Sequence, residues 1–163
     1  MPSNPIESEI LEKYGNRVRI RVSGLCWQND QLLMVNHKHL TKGDFWAPPG
    51  GGLEFGQSAH DALTREFLEE ASIFVNPVRL LFTCEFIKPP LHAIELFFEV
   101  NHEQGVITTG TDPESTSANQ LIEDVRYLDF NTIMSIPADE RHGIFRFVKS
   151  IDDLKKLSGF YRI

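Results

Sequence analysis

The chain has 163 residues, of which 41% are apolar and 24% charged, a composition that suits one globular domain spanning residues 1–163. Its net charge of −7 works against binding to nucleic acid polymers, and no apolar run is long enough to span a membrane. An anionic substrate would therefore need local cations, which a metal ion can supply.

The N-terminus lacks the basic start and apolar core of a signal peptide, so we expect a cytoplasmic protein. The two cysteines, Cys26 and Cys84, lie in apolar segments without metal-ligand or redox spacing. We predict that both are buried free thiols.

The first third of the chain predicts a short helix and a hairpin. Residues 7–14 have helical composition and are followed by Gly15. Residues 17–23 alternate basic and apolar types, which predicts a half-buried strand with arginines on its other face. Turn residues at 28–31 precede the apolar run 32–35, so the two strands form a hairpin, and a polar loop follows at 37–44. The three arginines are Arg17, Arg19 and Arg21.

The middle of the chain predicts a turn followed by a helix. Proline and glycine at 48–52 exclude a helix and let the backbone approach a ligand closely. Residues 57–71 have helix-forming composition, with Ser58 as the N-cap and Asp61 three residues later.

The last part of the chain predicts strands, a loop and a second helix. Residues 102–120 are rich in Gly, Thr, Ser and Asp, which predicts a long and functional loop. Six apolar residues at helical spacing between Ile144 and Leu157 predict an amphipathic helix. Strand-like runs lie at 78–88, 91–101 and 122–130, the first two separated by Pro89-Pro90.

Three glutamates share one stripe of the 57–71 helix, because residues three and four apart are neighbours on a helix: Glu66, Glu69 and Glu70. The stripe continues the apolar face towards the N-terminus, where a solvated patch is not expected. Mutual repulsion of the carboxylates calls for a cation, and Mg²⁺ or Mn²⁺ suits oxygen ligands. The alternative is a merely solvated glutamate face, but the adjacent glycine turn favours a metal and a phosphate in one place.

The stretch from Gly51 to Ile73 resembles the Nudix box. Gly51 matches its first position, and the second half of the pattern is matched in register by Arg65, Glu66, Phe67, Glu69, Glu70 and Ile73. Two positions depart from the pattern. Gln57 replaces the first Glu, whose implied role is structural, and its amide keeps the hydrogen-bonding capacity. Ser72 replaces the closing Gly, so we expect the helix to end through a different backbone conformation.

The resemblance implies an α/β fold, an α/β/α sandwich with a curved mixed sheet, and often a homodimer. It implies hydrolysis, with Mg²⁺ or Mn²⁺, of a phosphoanhydride bond in a nucleoside diphosphate linked to another group. That class includes nucleotide sugars, ADP-ribose and nucleoside triphosphates, so the partner is a small-molecule nucleotide. The implied metal ligands are Glu66, Glu69, Glu70 and the backbone carbonyl of Gly50, with Arg65 steadying the carboxylates and Gly51 and Gly52 approaching the substrate.

The resemblance leaves the catalytic base open. The candidates within the box are Glu70 and Glu69, and those outside it are Glu114, Asp112, Glu95 and Glu99. Arg17, Arg19 and Arg21 either contact the diphosphate or form a charged strand surface. His37, Lys38, His39 and Lys42 precede the glycine turn and are further candidates for substrate contact.

Two other functions remain as alternatives. A Nudix-fold module can sense a nucleotide without hydrolysing it, although the intact Arg-Glu and Glu-Glu pairs favour catalysis. Isomerisation of a prenyl diphosphate would need a reactive Cys and a further Glu in one cleft, which the sequence does not indicate. Pro89 follows Ile73 by sixteen residues, a spacing associated in the family with ADP-ribose hydrolysis, but a hairpin connection is the preferred interpretation.

Overall fold

The computed structural model describes residues 5–38, 43–110 and 122–163. Its helices are α1 (Pro5–Tyr14), α2 (Ala59–Ala71), α3 (Phe130–Ser135) and α4 (Ile151–Lys156), with short 3₁₀ helices at Ala138–Glu140 and Gly143–Phe147. Its strands are β1 (Arg17–Leu25), β2 (Trp27–Gln28), β3 (Gln31–Lys38), β4 (Asp44–Ala47), β5 (Gly50–Gly52), β6 (Phe74–Lys88), β7 (Leu91–Gln104), β8 (Ile122–Asp129) and β9 (Phe160–Arg162). None of the helices in these ranges is long and apolar enough to cross a membrane.

The strands form two sheets that the chain joins directly. The first sheet is mixed, in the order β5-β1-β7-β6-β9, with β1 parallel to β7 and β6 parallel to β9. In the second sheet β3 pairs antiparallel with β2, β4 and β8. Only Cys26 separates β1 from β2, so the chain bends from one sheet into the other. This arrangement confirms the predicted α/β fold with a curved mixed sheet.

Two apolar clusters hold the sheets and helices together. One contains the inner face of α2, which is buried against β1, β3 and β7 through Ala62, Leu63, Phe67, Val22, Val35 and Val100. The other lies between the sheets and the C-terminal segments, and it includes Leu25, Met34, Phe97, Ile144, Phe145 and Leu154. Because α2 packs directly on β1, its polar residues are held in a fixed position relative to the β5 edge of the first sheet.

Several local predictions are confirmed. Asn29 and Asp30 both have positive φ, 49° and 60°, as a two-residue hairpin turn between β2 and β3 requires. The side chain of Ser58 accepts a hydrogen bond from the backbone N–H of Asp61 and caps α2. Pro89-Pro90 forms the turn of the antiparallel β6–β7 hairpin, which supports the hairpin interpretation of Pro89.

The prediction for the apolar face of β1 was wrong in its first half. Val18 is 58% exposed and Ile20 is 40% exposed, whereas Val22 is fully buried. Alternation in a strand gives the face of a side chain, but burial depends on whether another element covers that face. The apolar cluster that contains α2 includes Val22 but neither of the two earlier residues.

The predicted C-terminal amphipathic helix is also wrong as one continuous helix. The 3₁₀ helix Gly143–Phe147 and helix α4 are separated by extended residues, Val148 at φ −132° and Ser150 at φ −157°. The side chain of Ser150 accepts from the N–H of Asp153 and starts a new helix there. The apolar spacing correctly marked buried residues, because Ile144 and Leu154 are fully buried, but it did not detect the break.

The end of α2 corrects the expectation for Ser72. This residue has φ 61° and ψ 27°, the same left-handed conformation that a closing glycine adopts, and its N–H donates to the carbonyl of Leu68. A serine in this conformation costs roughly 1 kcal/mol relative to glycine. The departure from the box therefore affects stability and leaves the helix end in the same place.

Candidate active site

Strand β5 brings three glycines against the carboxylates of α2. The backbone N–H of Gly50 donates to Glu70 Oε2 at 3.0 Å. A Cβ atom on Gly51 would lie 2.1 Å from Glu66 Oε1, and one on Gly50 would lie 2.2 Å from the carbonyl of Val22. Real Cβ atoms do not approach this closely. The backbone beside Gly50 therefore requires glycine there, whereas a side chain at Gly51 would have to displace the Glu66 carboxylate. The glycine turn and the glutamates therefore lie side by side, as their spacing in the sequence predicted.

Arg65 connects the carboxylates to the glycine strand. Its Nη1 lies 2.9 Å from Glu66 Oε1 and 3.0 Å from Glu69 Oε2. Its Nη2 donates to the carbonyl of Gly52 at 3.2 Å. One guanidinium therefore contacts two carboxylates and the adjacent strand.

Glu66 carries a carboxyl group in an unfavourable place for a negative charge. It is 8% exposed, and burial raises its pKa to about 7, although Arg65 opposes that shift. The like charge of Glu69 raises the pKa further. A divalent cation would remove this cost, and carboxylate oxygens beside a backbone carbonyl are donors that Mg²⁺ and Mn²⁺ accept.

These oxygen donors have the chemical character that such an ion prefers, but they are not already grouped around a binding position. Within residues 5–38, 43–110 and 122–163, no three Asp, Glu, His or Cys side chains are grouped closely enough to hold a metal ion. Arg65 holds Glu66 and Glu69, and Gly50 holds Glu70. A metal would therefore compete with these partners for the carboxylate oxygens.

His37, at the end of β3, lies beside the third carboxylate. Its Nε2 is 3.7 Å from Glu70 Oε1, beyond a direct hydrogen bond. Burial lowers the pKa of His37 to about 4, and the positive charge of Arg21 adds to the effect. The imidazole is therefore neutral at pH 7 and adds no positive charge beside Glu70.

A second polar cluster, formed by Ser23, Glu95 and His142, lies on the face of β1 and β7 opposite Val22. Ser23 Oγ donates to Glu95 Oε1 at 2.6 Å, and His142 Nε2 lies 3.4 Å from Glu95 Oε2. Burial disfavours the charged form of Glu95, but the hydrogen bonds from His142 and Ser23 and the positive charge of Arg21 outweigh burial and hold the pKa of this carboxyl below its usual value. Glu95 is therefore a buried carboxylate at neutral pH.

The three arginines of β1 have different surroundings. Arg17 Nη2 donates to the backbone carbonyls of Glu12 and Lys13, at the C-terminal end of α1. The Arg19 guanidinium lies 3.9 Å from the centre of the Tyr14 ring. Arg21 Nε lies 3.8 Å from Glu95 Oε2, and its positive charge lowers the pKa of Glu66. Arg21 therefore has an electrostatic link to the box carboxylate of Glu66.

The candidate bases outside the box are not equivalent. Glu99 accepts from Arg79 Nε at 2.7 Å on the surface, and Glu95 is enclosed by the second polar cluster. Glu114 and Asp112 lie outside the described residues, as do His39 and Lys42. Sequence reasoning did not select His142, because a single histidine in an irregular segment carries no motif. The buried Glu95 in the middle of an apolar strand was the one available signal for this cluster.

Comparison with known proteins identifies the family. The family model for the NUDIX domain matches residues 17–149. The chain belongs to the Nudix family. Among solved structures, a NUDIX hydrolase from Nitrosomonas europaea has 19% identity and a TM-score of 0.66, over 85% of this chain and 88% of that one. At such low identity this similarity shows the fold alone.

Two further Nudix-fold structures are similar over most of their length. A UDP-X diphosphatase has 19% identity and a TM-score of 0.64, over 96% of this chain and 73% of that one. An ADP-ribose pyrophosphatase from Streptococcus suis has 15% identity and a TM-score of 0.57, over 88% and 98%. Family and fold agree with the predicted class of enzyme, a Nudix pyrophosphohydrolase.

Gln57 and the two cysteines have the local surroundings that the sequence predicted. Gln57 Oε1 accepts from the N–H of Glu54 at 3.4 Å, so the amide bonds within the loop as expected. Cys26 and Cys84 are free and buried, as predicted. Burial raises the pKa of Cys84 to about 12, with Glu95 adding to the shift. A thiol in this state is a poor reactive group, which disfavours the isomerase alternative.

Proposed function

We propose that this Nudix protein hydrolyses a phosphoanhydride bond in a nucleoside diphosphate linked to another group, with Mg²⁺ or Mn²⁺. The observation that carries the proposal is the packing of two buried carboxylates, Glu66 and Glu70, directly against the side-chain-free strand Gly50–Gly52. Such packing leaves carboxylate oxygens and backbone groups together at one edge, where a cation and a phosphate can share ligands.

In this proposal Glu66, Glu69, Glu70 and the carbonyl of Gly50 hold the metal ion. An ion held there would supply Lewis-acid chemistry for the phosphate and for the attacking water. Arg65 orients Glu66 and Glu69, since its guanidinium already contacts both. Glu70 is our candidate for the group that accepts a proton from the attacking water, because it lies in the box and faces a neutral histidine.

The substrate side of the site is also a proposal. Gly51 and Gly52 give the substrate access to the backbone, and Arg21 supplies a positive charge beside them, since it is the register partner of Gly52 in the β1–β5 pair. Arg19 stacks on Tyr14 and is a secondary candidate for a phosphate contact. The UDP-X diphosphatase and ADP-ribose pyrophosphatase folds support nucleotide sugars and ADP-ribose as the first compounds to test.

One observation favours a second candidate, a nucleotide-binding module without catalysis. Arg65 engages two of the three box carboxylates, and the described residues contain no preassembled group of three metal ligands. If these contacts persist with nucleotide bound, the chain binds without turnover.

The test is product release from a panel of nucleotide sugars, ADP-ribose, dinucleoside polyphosphates and nucleoside triphosphates. Each compound is assayed with Mg²⁺, with Mn²⁺ and with a chelator, and Glu70→Gln serves as the matched inactive variant. Chelator-sensitive release that the variant lacks supports the hydrolase and identifies its substrate class. Nucleotide binding without release by the folded protein would favour the binding module instead.

A further inference from the structure

The donors and acceptors in the cluster of Ser23, Glu95 and His142 can be assigned from its hydrogen bonds. The backbone N–H of Ile144 donates to His142 Nδ1 at 3.2 Å, so Nδ1 is an acceptor and the ring proton is on Nε2. Nε2 therefore donates to Glu95 Oε2, while Ser23 Oγ donates to Oε1. Each carboxylate oxygen has its own donor, which fixes the plane of the Glu95 carboxylate.

The sequence of hydrogen-bonded groups in the cluster differs from that of a nucleophilic triad. The carboxylate lies between the hydroxyl and the imidazole, so His142 has no contact with Ser23 through which to take its proton. Ser23 is also 1% exposed and closed in by Gly50, since a Cβ there would lie 2.4 Å from Ser23 Oγ. The cluster must act through a neighbouring residue or be purely structural.

Arg21 is the neighbour that connects the cluster to the box. It is the register partner of Glu95 across the β1–β7 pair and of Gly52 across the β1–β5 pair. Its Nε is 3.8 Å from Glu95 Oε2, an ion-pair distance rather than a direct hydrogen bond, and its side chain remains 29% exposed. One edge of the guanidinium therefore faces a fixed buried anion, and the group retains access to solvent for a ligand.

Resting on the proposed function, we propose that Glu95 is a positioning residue that holds the Arg21 guanidinium at the β5 edge for contact with a diphosphate. Ser23 and His142 hold Glu95 in turn. A long arginine side chain loses conformational entropy when it binds an anion. A fixed carboxylate beside the guanidinium restricts the side chain before the ligand arrives, so less entropy is lost on binding. The consequence is a more tightly bound diphosphate.

The test is a double-mutant cycle on the full chain with methylenediphosphonate, a diphosphate analogue that cannot be hydrolysed, titrated by calorimetry with Mg²⁺ present. Arg21→Gln should weaken binding roughly 10- to 100-fold, the effect of losing a charge-assisted hydrogen bond. Glu95→Gln should weaken binding about 5- to 10-fold in the wild-type background. In the Arg21→Gln background, Glu95→Gln should have no further effect.

Glu85→Gln is the matched control, because Glu85 is also a sheet carboxylate that contacts a histidine, His92, at 3.2 Å. It should leave binding unchanged. Equal losses from Glu95→Gln in both backgrounds, or no loss at all, overturn the proposal and leave a structural role. If Glu95→Gln does not fold, Ser23→Ala provides the same cycle, with a smaller loss that must also vanish when Arg21 is replaced.

The outcome separates this proposal from the proposed function. A wild-type chain that binds the analogue with coupled Arg21 and Glu95 but releases no product from the panel refutes hydrolysis alone. A chain that hydrolyses a panel compound but shows additive effects refutes the positioning role alone. Failure of the wild-type chain to bind the analogue also overturns the positioning role.

Discussion

Replacing Gly51 by alanine is a sharp test of the contact between β5 and α2. The new Cβ would lie 2.1 Å from Glu66 Oε1 and 2.6 Å from Oε2. Ordinary contact begins at about 3.4 Å, so the carboxylate must move by about 1.3 Å. Gly51 does not have a positive φ, so the alanine backbone itself is unstrained.

The displaced group is the end of a flexible side chain, and we expect the unfolding free energy to change by less than about 1 kcal/mol. Catalysis should suffer far more, because Mg²⁺ demands near-ideal ligand geometry and a misplacement of about 1 Å costs roughly 100-fold in rate. Metal-dependent kcat/KM should therefore fall about 100-fold, with a matching rise in the Mg²⁺ concentration required.

The assay measures kcat/KM against Mg²⁺ concentration, together with urea unfolding of the same preparations. Gly52→Ala is the matched variant from the same strand, since its Cβ meets only Arg19 Nη2 at 3.6 Å. It should leave the required Mg²⁺ concentration unchanged, because it displaces no carboxylate, so any loss it causes belongs to the substrate side of the site. If Gly51→Ala retains kcat/KM within about 3-fold of wild type at low Mg²⁺, the packing of Glu66 against β5 does not set the metal site.

Glu70→Gln keeps an oxygen that can accept from the N–H of Gly50 but removes the charge, so turnover should fall about 100-fold or more while thermal unfolding stays close to wild type. In metal-free protein, the raised pKa of Glu66 means that the folded state binds its proton more tightly than the unfolded state. Its contribution to stability, on the order of 3 kcal/mol, is complete below about pH 4.5 and is lost as pH rises through about 7. Urea unfolding across this range should show the decline, Glu66→Gln should remove it, and Mg²⁺ at pH 7.5 should offset it. Phe145→Ala opens a cavity at a fully buried ring and should lower the unfolding free energy by about 3–5 kcal/mol, measured in urea, whereas a loss below about 1 kcal/mol would contradict the packing described for the C-terminal segment.

The box and its fold were predictable because their signals are local. Helical spacing placed Glu66 and Glu70 on the buried stripe of α2, and the Ser58 cap marked where that helix begins. Glycines directly before the helix predicted the close approach that Gly51 makes. The sequence distance between these features is short, so few topologies can separate them.

The remainder depends on contacts between residues far apart in sequence. Glu95 is separated in sequence by 72 residues from Ser23 and by 47 from His142, and the periodicity of a sequence gives no information about such distant contacts. The exposure of Val18 depends on whether another element covers that end of the sheet. The alternation of residue types along β1 gives no information about such an element. The break before α4 was missed because spacing alone ignores the competing cap at Ser150.

The most direct test of the central claim is hydrolysis of the panel substrate in ¹⁸O-labelled water, with mass spectrometry of both products. Metal-assisted attack on phosphorus predicts one ¹⁸O atom in a phosphate group of one product, abolished by a chelator and by Glu70→Gln. Label found on a carbon-bound hydroxyl, or a phosphate label that persists with chelator present, would contradict the proposed reaction at the Nudix box.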